Sequence, residues 1–99
     1  MAWPSQIWYG FDKSTVNGRA PNVSGVYVVK GSDGKWLHVG ESARIASGLL
    51  RHLTGKNARL IEGDPAMFSY ELCGAEKRTL RRDALIAEFL PGTRAPETP

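Results

Sequence analysis

The feature of this sequence that most constrains its fold is the stretch of residues 24–53, which predicts a strand, a turn, a second strand and a helix. Two runs rich in β-branched and aromatic residues flank a cluster of turn-forming residues at 31–34, the pattern of a β-hairpin. In an antiparallel hairpin the residue numbers of the two partners add up to a constant. That sum is odd here whether the loop holds two residues or four. We therefore predict that Tyr27 and His38 lie on the same face of the sheet, directly opposite or one diagonal apart.

A helix is predicted to follow the hairpin. Gly40 suits a backbone turn after the second strand, and Ser42 is a candidate N-cap. The apolar residues Ile45, Leu49 and Leu53 then recur at every fourth position, which is the spacing of one buried helix face. We therefore expect a helix that ends near Leu53.

The N-terminal part, residues 1–23, is predicted to be an extension and a loop. Residues 7–11 could add an extra edge strand to the sheet, whereas the Ser-, Asn-, Gly- and Pro-rich residues 12–24 predict a long loop. Trp3 and Trp8 are expected to cover the core, since this is the usual role of indoles in a small domain. The alternatives are a surface for base stacking or for a protein partner.

The rest of the chain predicts a third strand and a second main helix. Residues 67–72 alternate in polarity, as a half-buried strand does, and residues 75–90 are good helix formers. A short helical turn is expected at 59–62 and a flexible tail at 93–99. The inner side of the last helix is predicted to carry Leu80, Ala84, Ala87 and Leu90.

Together these elements predict one α+β domain over residues 1–99, with a small, mainly antiparallel three-stranded sheet flanked by helices. The chain has 99 residues, of which 41% are hydrophobic and 23% charged, as in ordinary globular domains. It has one cysteine, which excludes an internal disulfide, and no apolar run of membrane-spanning length. We therefore expect a cytoplasmic protein without a membrane partner.

The net charge of +3 is a mild bias toward polyanions. Basic residues are concentrated in the two main helices and just after the first. The candidate nucleic-acid contacts are Arg44, Lys56, Arg78 and Arg82. Without further information a solvated helix face explains these charges equally well.

Several short segments match, in order, the core signature of a known family. They are Gly25-Val26-Tyr27, the run His38-Val39-Gly40-Glu41-Ser42, Ile45 and His52, followed by Arg78, Leu85-Ile86 and Pro91. In this order and spacing they resemble the GIY-YIG nuclease superfamily. The resemblance covers most of the chain, and it implies a nuclease-type fold that acts on nucleic acid.

The chain also departs from that family at important positions. His38 stands where the family has its second motif tyrosine, and Gly48 stands where it has a helix arginine. Arg82 occupies the position of the metal-binding glutamate, and the asparagine expected after the closing proline is missing. Of the usual catalytic set, Tyr27 and His52 remain.

Four residues are candidates for catalytic roles, two of which, Tyr27 and His52, the resemblance itself implies. Tyr27 would accept a proton from water or orient it against a phosphate. His38 could replace a phenol as acid, base or donor, because imidazole titrates near neutral pH, and His52 matches the family's histidine. Arg51 could reach toward the space of the lost arginine. The structural alternatives are a packing tyrosine, a polar strand end, a histidine that complements the helix dipole and a surface arginine.

Cleavage by this family implies a carboxylate that holds one divalent cation, Mg²⁺ or Mn²⁺. Arg82 cannot do this, so Glu41 or Asp83 would have to serve. The substitution favours binding over cleavage, and an inactive chain needs no metal.

Three functions remain open at this point. The first is a nucleic-acid-binding domain, with DNA as the expected partner and weakened or lost catalysis. The second is an active endonuclease that depends on a divalent metal. The third is a protein-interaction module that docks a partner through the Trp-rich N-terminus.

Overall fold

The computed structural model describes residues 7–54 and 65–89 of the chain. Within these ranges the protein is an α+β domain with one antiparallel sheet and helices on both of its faces. The elements in chain order are β1 (Tyr9–Gly10), α1 (Lys13–Arg19), β2 (Gly25–Gly31), β3 (Trp36–Ser42), α2 (Ile45–Thr54), β4 (Pro65–Leu72) and α3 (Ala75–Phe89). The predictions for residues 59–62, 90 and 93–99 lie outside the described residues.

The sheet has the strand order β1-β4-β2-β3, and all of its pairs are antiparallel. In the hairpin of β2 and β3, Tyr27 pairs with Gly40 and Val29 pairs with His38. The register shifts only beyond Val29, toward the turn. The pairing sum around the site is therefore odd, and the prediction that Tyr27 and His38 share a face, one diagonal apart, is confirmed.

Strand β2 is buried on both faces, which accounts for its nearly continuous apolar sequence. Its odd-numbered residues join Phe68 in a core that also contains Val16 of α1 and, from α2, Ile45 and Leu49. Its even-numbered residues pack against α3 through Leu85 and Ile86. The predicted buried stripe of α2 is confirmed.

The N-terminal segment agrees with the sequence prediction in one respect and differs in another. The predicted edge strand exists as β1, where Tyr9 pairs with Phe68. The predicted loop over 12–24 is wrong in its first half, because Lys13–Arg19 form α1. Asp12 caps this helix, since its carboxylate accepts the Thr15 backbone N–H at 2.8 Å and the Thr15 hydroxyl at 3.0 Å.

The predicted inner face of α3 is also wrong. Leu80 is 73% exposed, and Ala84 and Ala87 are exposed as well. The helix instead turns Leu85 and Ile86 into the core. The inward side carries three half-buried arginines, Arg78, Arg81 and Arg82, in its N-terminal half, so hydrophobicity alone points to the wrong side.

Trp8 packs against the core that α3 covers, as expected for an indole in a small domain. Its ring meets Trp36 edge-on at a centroid distance of 6.2 Å, and the Lys30 ammonium lies 4.1 Å from its centroid. Trp3 lies outside the described residues. Within residues 7–54 and 65–89, no helix is long and apolar enough to cross a membrane.

Candidate functional site

Three aromatic side chains from three different elements meet on one side of the sheet. The Tyr27 hydroxyl of β2 lies 2.9 Å from Nε2 of His52, which is in the last turn of α2. The His38 ring of β3 lies 4.4 Å from the His52 ring and 6.0 Å from the Tyr27 ring, measured between centroids. We call these three residues the ring cluster. Hairpin register brings Tyr27 and His38 to one face, and the buried stripe of α2 brings His52 to them.

Two glycines make room for the Tyr27 ring. A Cβ atom at Gly40 would lie 2.4 Å from Cζ of Tyr27, and one at Gly48 would lie 3.0 Å from Cε2. Gly40 is therefore required for its missing side chain; it lies within β3 rather than in the predicted turn after it. The resemblance places an arginine at position 48. The Cβ atom of that arginine would lie directly against the ring of Tyr27.

Burial dominates the electrostatics of the ring cluster. Tyr27 is only 4% exposed, and this desolvation raises its pKa to about 12, with Arg51 opposing the shift and Glu41 adding to it. The phenol is therefore protonated at neutral pH. Burial lowers the pKa of His52, and the nearby Arg51 charge lowers it further. A neutral imidazole can accept the hydrogen bond of the Tyr27 hydroxyl at Nε2, which leaves the hydrogen of His52 on Nδ1.

This lowered pKa gives the chain a pH-dependent stability. Near pH 6 the unfolded chain, in which His52 has its ordinary pKa of 6.5, binds more protons than the folded chain. The His52 contribution is therefore complete above pH 6.5 and is lost as the pH falls through the folded-state value. We expect the free energy of unfolding, measured by urea titration, to fall between pH 7.5 and pH 5.

Two variants isolate the contribution of His52. His52→Gln removes its titration, and Arg51→Gln removes a charge that opposes its protonation, so both should make stability less dependent on pH. If the free energy of unfolding of His52→Gln depends on pH as steeply as that of the wild type, the pH dependence does not come from His52.

Two basic residues lie at the entrance to α2 and in its last turn. Arg51 is exposed, and its charge acts on both Tyr27 and His52. Arg44 is also exposed, and its backbone N–H is bound at 3.0 Å by the hydroxyl of Ser42. Ser42 is the last residue of β3 rather than the predicted N-cap, because α2 begins only at Ile45.

A second group of polar residues joins β3 to α3. One Glu41 oxygen accepts the Arg78 Nε–H at 3.2 Å. The other accepts the Thr79 hydroxyl at 2.7 Å and lies 3.3 Å from Nη1 of Arg82. We call these four residues the Glu41 cluster. The charged side chains of this cluster are about one-fifth exposed (19–22%), so each ion pair is partly shielded from solvent.

These residues do not fit a divalent cation. Mg²⁺ and Mn²⁺ require oxygen ligands that are free to coordinate them, and both Glu41 oxygens are engaged by cationic groups. The Asp83 carboxylate is paired with Arg82 at 3.0 Å. In the described part of the chain, no group of three or more His, Cys, Asp or Glu side chains could hold a metal ion.

The predicted site residues thus fall into two groups, one on each face of the sheet. Tyr27, His38 and His52 come together, with the charge of Arg51 beside them. Arg78 and Arg82, which are predicted nucleic-acid contacts, both contact Glu41, which is a predicted metal ligand. Lys56 lies outside the described residues. Sequence reasoning missed Thr79, because a lone threonine on a helix carries no distinguishing signal.

The antiparallel sheet, the helix that carries His52 and the ring cluster together define a GIY-YIG-like fold. The structure is similar to the GIY-YIG N-terminal endonuclease domain of UvrC from Thermotoga maritima bound to its catalytic divalent cation, magnesium, with a TM-score of 0.64. The two chains are 18% identical, and the match covers 81% of this chain and 96% of that one.

A point mutant of that domain bound to its catalytic divalent cation matches with a TM-score of 0.65, at 18% identity, over 82% of this chain and 96% of that one. No protein-family model matches the sequence, and neither does any curated protein. At this level of identity the comparison establishes the fold.

Proposed function

We propose that this chain is a nucleic-acid-binding domain on a nuclease-like fold, with metal-dependent cleavage weakened or lost. The observation that carries this proposal is the Glu41 cluster. The acid whose charge reaches Tyr27 is neutralised by two guanidinium groups, Arg78 and Arg82, rather than held open for a cation. A guanidinium can bind a phosphate but cannot activate a metal-bound water.

The chemistry of the ring cluster supports phosphate binding. Imidazole N–H groups and guanidinium groups are the donors that phosphate oxygens accept most readily. The hydrogen on Nδ1 of His52, the His38 ring and the exposed Arg51 provide such donors on one side of the sheet. Tyr27, buried and protonated, holds His52 in place.

The active-endonuclease alternative is less well supported by the geometry. Glu41 would first have to exchange two arginines and a threonine hydroxyl for a metal ion. DNA is the partner we propose, and the UvrC domain with the same fold is described as an endonuclease.

The proposal predicts binding that depends steeply on salt and does not depend on metal. Fluorescence anisotropy with labelled duplex, branched and single-stranded DNA should give a Kd in EDTA that is at least as low as the Kd in magnesium, because Mg²⁺ itself competes for the phosphates. The logarithm of the affinity should fall with the logarithm of the salt concentration by roughly 0.9 for each phosphate contacted. Arg51→Gln should reduce that slope by about 1.

Lys77→Gln is a matched control, because Lys77 is an exposed cation on α3 outside both groups of site residues. It should leave the slope nearly unchanged. Binding that is insensitive to salt, no binding to any of the three substrates, or nicking that requires magnesium or manganese would refute the proposal.

A further inference from the structure

We propose that the Arg82 guanidinium is a built-in cation of this site: it takes the place of a divalent ion beside Glu41 and binds a backbone phosphate of the nucleic acid directly. This inference rests on the proposed function and specifies how the site binds its ligand. The ligand it implies is a phosphodiester recognised without metal.

The two arginines that hold Glu41 are anchored differently. Arg78 contacts Glu41 through Nε and also lies 3.3 Å from the Ser24 hydroxyl through Nη1, so it is held both by β3 and by the residue that precedes β2. Arg82 contacts Glu41 through Nη1. Within residues 7–54 and 65–89, its Nε and Nη2 contact only Asp83. Arg78 therefore has a structural anchor that Arg82 lacks.

The contact between Arg82 and Asp83 is the exchangeable one. The Asp83 side chain is 50% exposed and adjacent in sequence, and ion pairs of this kind contribute about 0–1 kcal/mol. A phosphate offers the same guanidinium edge a bidentate partner with stronger, charge-assisted hydrogen bonds. A phosphate can therefore displace Asp83 while Glu41 keeps Arg82 in position.

The charge of the Glu41 cluster supports the same conclusion. Glu41 carries one negative charge against the two positive charges of Arg78 and Arg82, which leaves the Glu41 cluster with a positive charge once Asp83 is displaced. The Glu41 side chain lies on the α3 side of the sheet, because Glu41 pairs with Val26, whereas Tyr27 and the ring cluster lie on the α2 side. The charge of Glu41 still reaches Tyr27 through the sheet.

The decisive experiment replaces the guanidinium by a carboxylate. Arg82→Glu puts a second acid beside Glu41 and should create a site for Mn²⁺, detected by electron paramagnetic resonance without nucleic acid. The wild type should bind no Mn²⁺ in the same titration. Arg82→Glu should also bind DNA about tenfold more weakly than the wild type in EDTA, since about 1.4 kcal/mol of phosphate contact is lost, and Mn²⁺ should restore that binding.

Matched variants complete the test. Adding Glu41→Gln to Arg82→Glu should abolish the Mn²⁺ signal, and Lys77→Glu, the same charge change elsewhere on α3, should create none. If Arg82→Glu does not fold by circular dichroism, Arg82→Gln serves instead. It should bind DNA more weakly than the wild type, whereas Arg82→Lys should bind without metal, as the wild type does.

Three results would overturn the inference: Mn²⁺ binding by the wild type, no Mn²⁺ binding by folded Arg82→Glu, or DNA binding by folded Arg82→Gln equal to that of the wild type. If the wild type binds no nucleic acid, the proposed function fails. The Mn²⁺ titrations of the wild type and Arg82→Glu still decide whether Arg82 takes the place of a divalent ion.

Discussion

Gly40→Ala is expected to destabilise the fold by about 3 kcal/mol, the upper end of the usual cost of overpacking, and to break the hydrogen bond between Tyr27 and His52. The added methyl group would lie 2.4 Å from Cζ and 2.5 Å from Oη of Tyr27, well inside contact distance. The ring cannot simply step aside, because the backbone of Gly48 lies close on its other flank. The phenol must therefore leave the position from which it holds His52.

Urea unfolding and the NMR signals of the His52 ring measure the two parts of this prediction. Gly18→Ala is the matched control, since a Cβ atom at Gly18 in α1 would meet no atom within 4 Å. That substitution should be neutral or should stabilise the chain by roughly 0.5–1 kcal/mol, as alanine does in a helix. Equal stability of the two variants would mean that the position of the Tyr27 ring does not depend on the missing side chain of Gly40.

The assembly of the ring cluster could be predicted from sequence because it depends on short-range rules. Alternation along β2 and β3 and the parity of the hairpin register place Tyr27 and His38 on one face. The four-residue spacing that buries Ile45 and Leu49 then fixes which way α2 lies against the sheet. None of these steps requires knowledge of residues far away in the chain.

The Glu41 cluster could not be predicted in the same way. Glu41 and Arg82 are 41 positions apart, and each has a sensible separate role as a metal ligand or a phosphate contact. Their contact depends on how α3 packs across the sheet, which hydrophobicity predicted wrongly. Two residues assigned to different tasks thus form an ion pair that no short-range rule predicts.

Helix α1 was missed for a different reason. The residues before β2 are rich in Ser, Asn and Gly, which ordinarily predict a loop. Asp12 satisfies the backbone of the first turn, and Val16 is fully buried, so one cap and one core contact stabilise a helix of seven residues. Such a helix depends on tertiary packing more than on its own propensity.

The orientation of α3 carries the second large prediction. Leu85→Ala should cost about 2–5 kcal/mol of folding free energy, the range for truncating a fully buried leucine, because Leu85 is 0% exposed between α3 and the even-numbered side of β2. Leu80→Ala makes the same chemical change on the same helix at a position that is 73% exposed, and it should stay within roughly 0.5 kcal/mol of the wild type.

The pair can be measured side by side by urea unfolding, and the two variants lose the same atoms in the same helical background. If α3 instead buried the face expected from hydrophobicity alone, Leu80→Ala would be the more destabilising of the two variants. That order would also remove the basis of the Glu41 cluster, since turning Leu80 inward rotates Arg78 and Arg82 away from β3. The stability of two leucine variants therefore tests, without any nucleic acid or metal, whether Arg82 can stand beside Glu41.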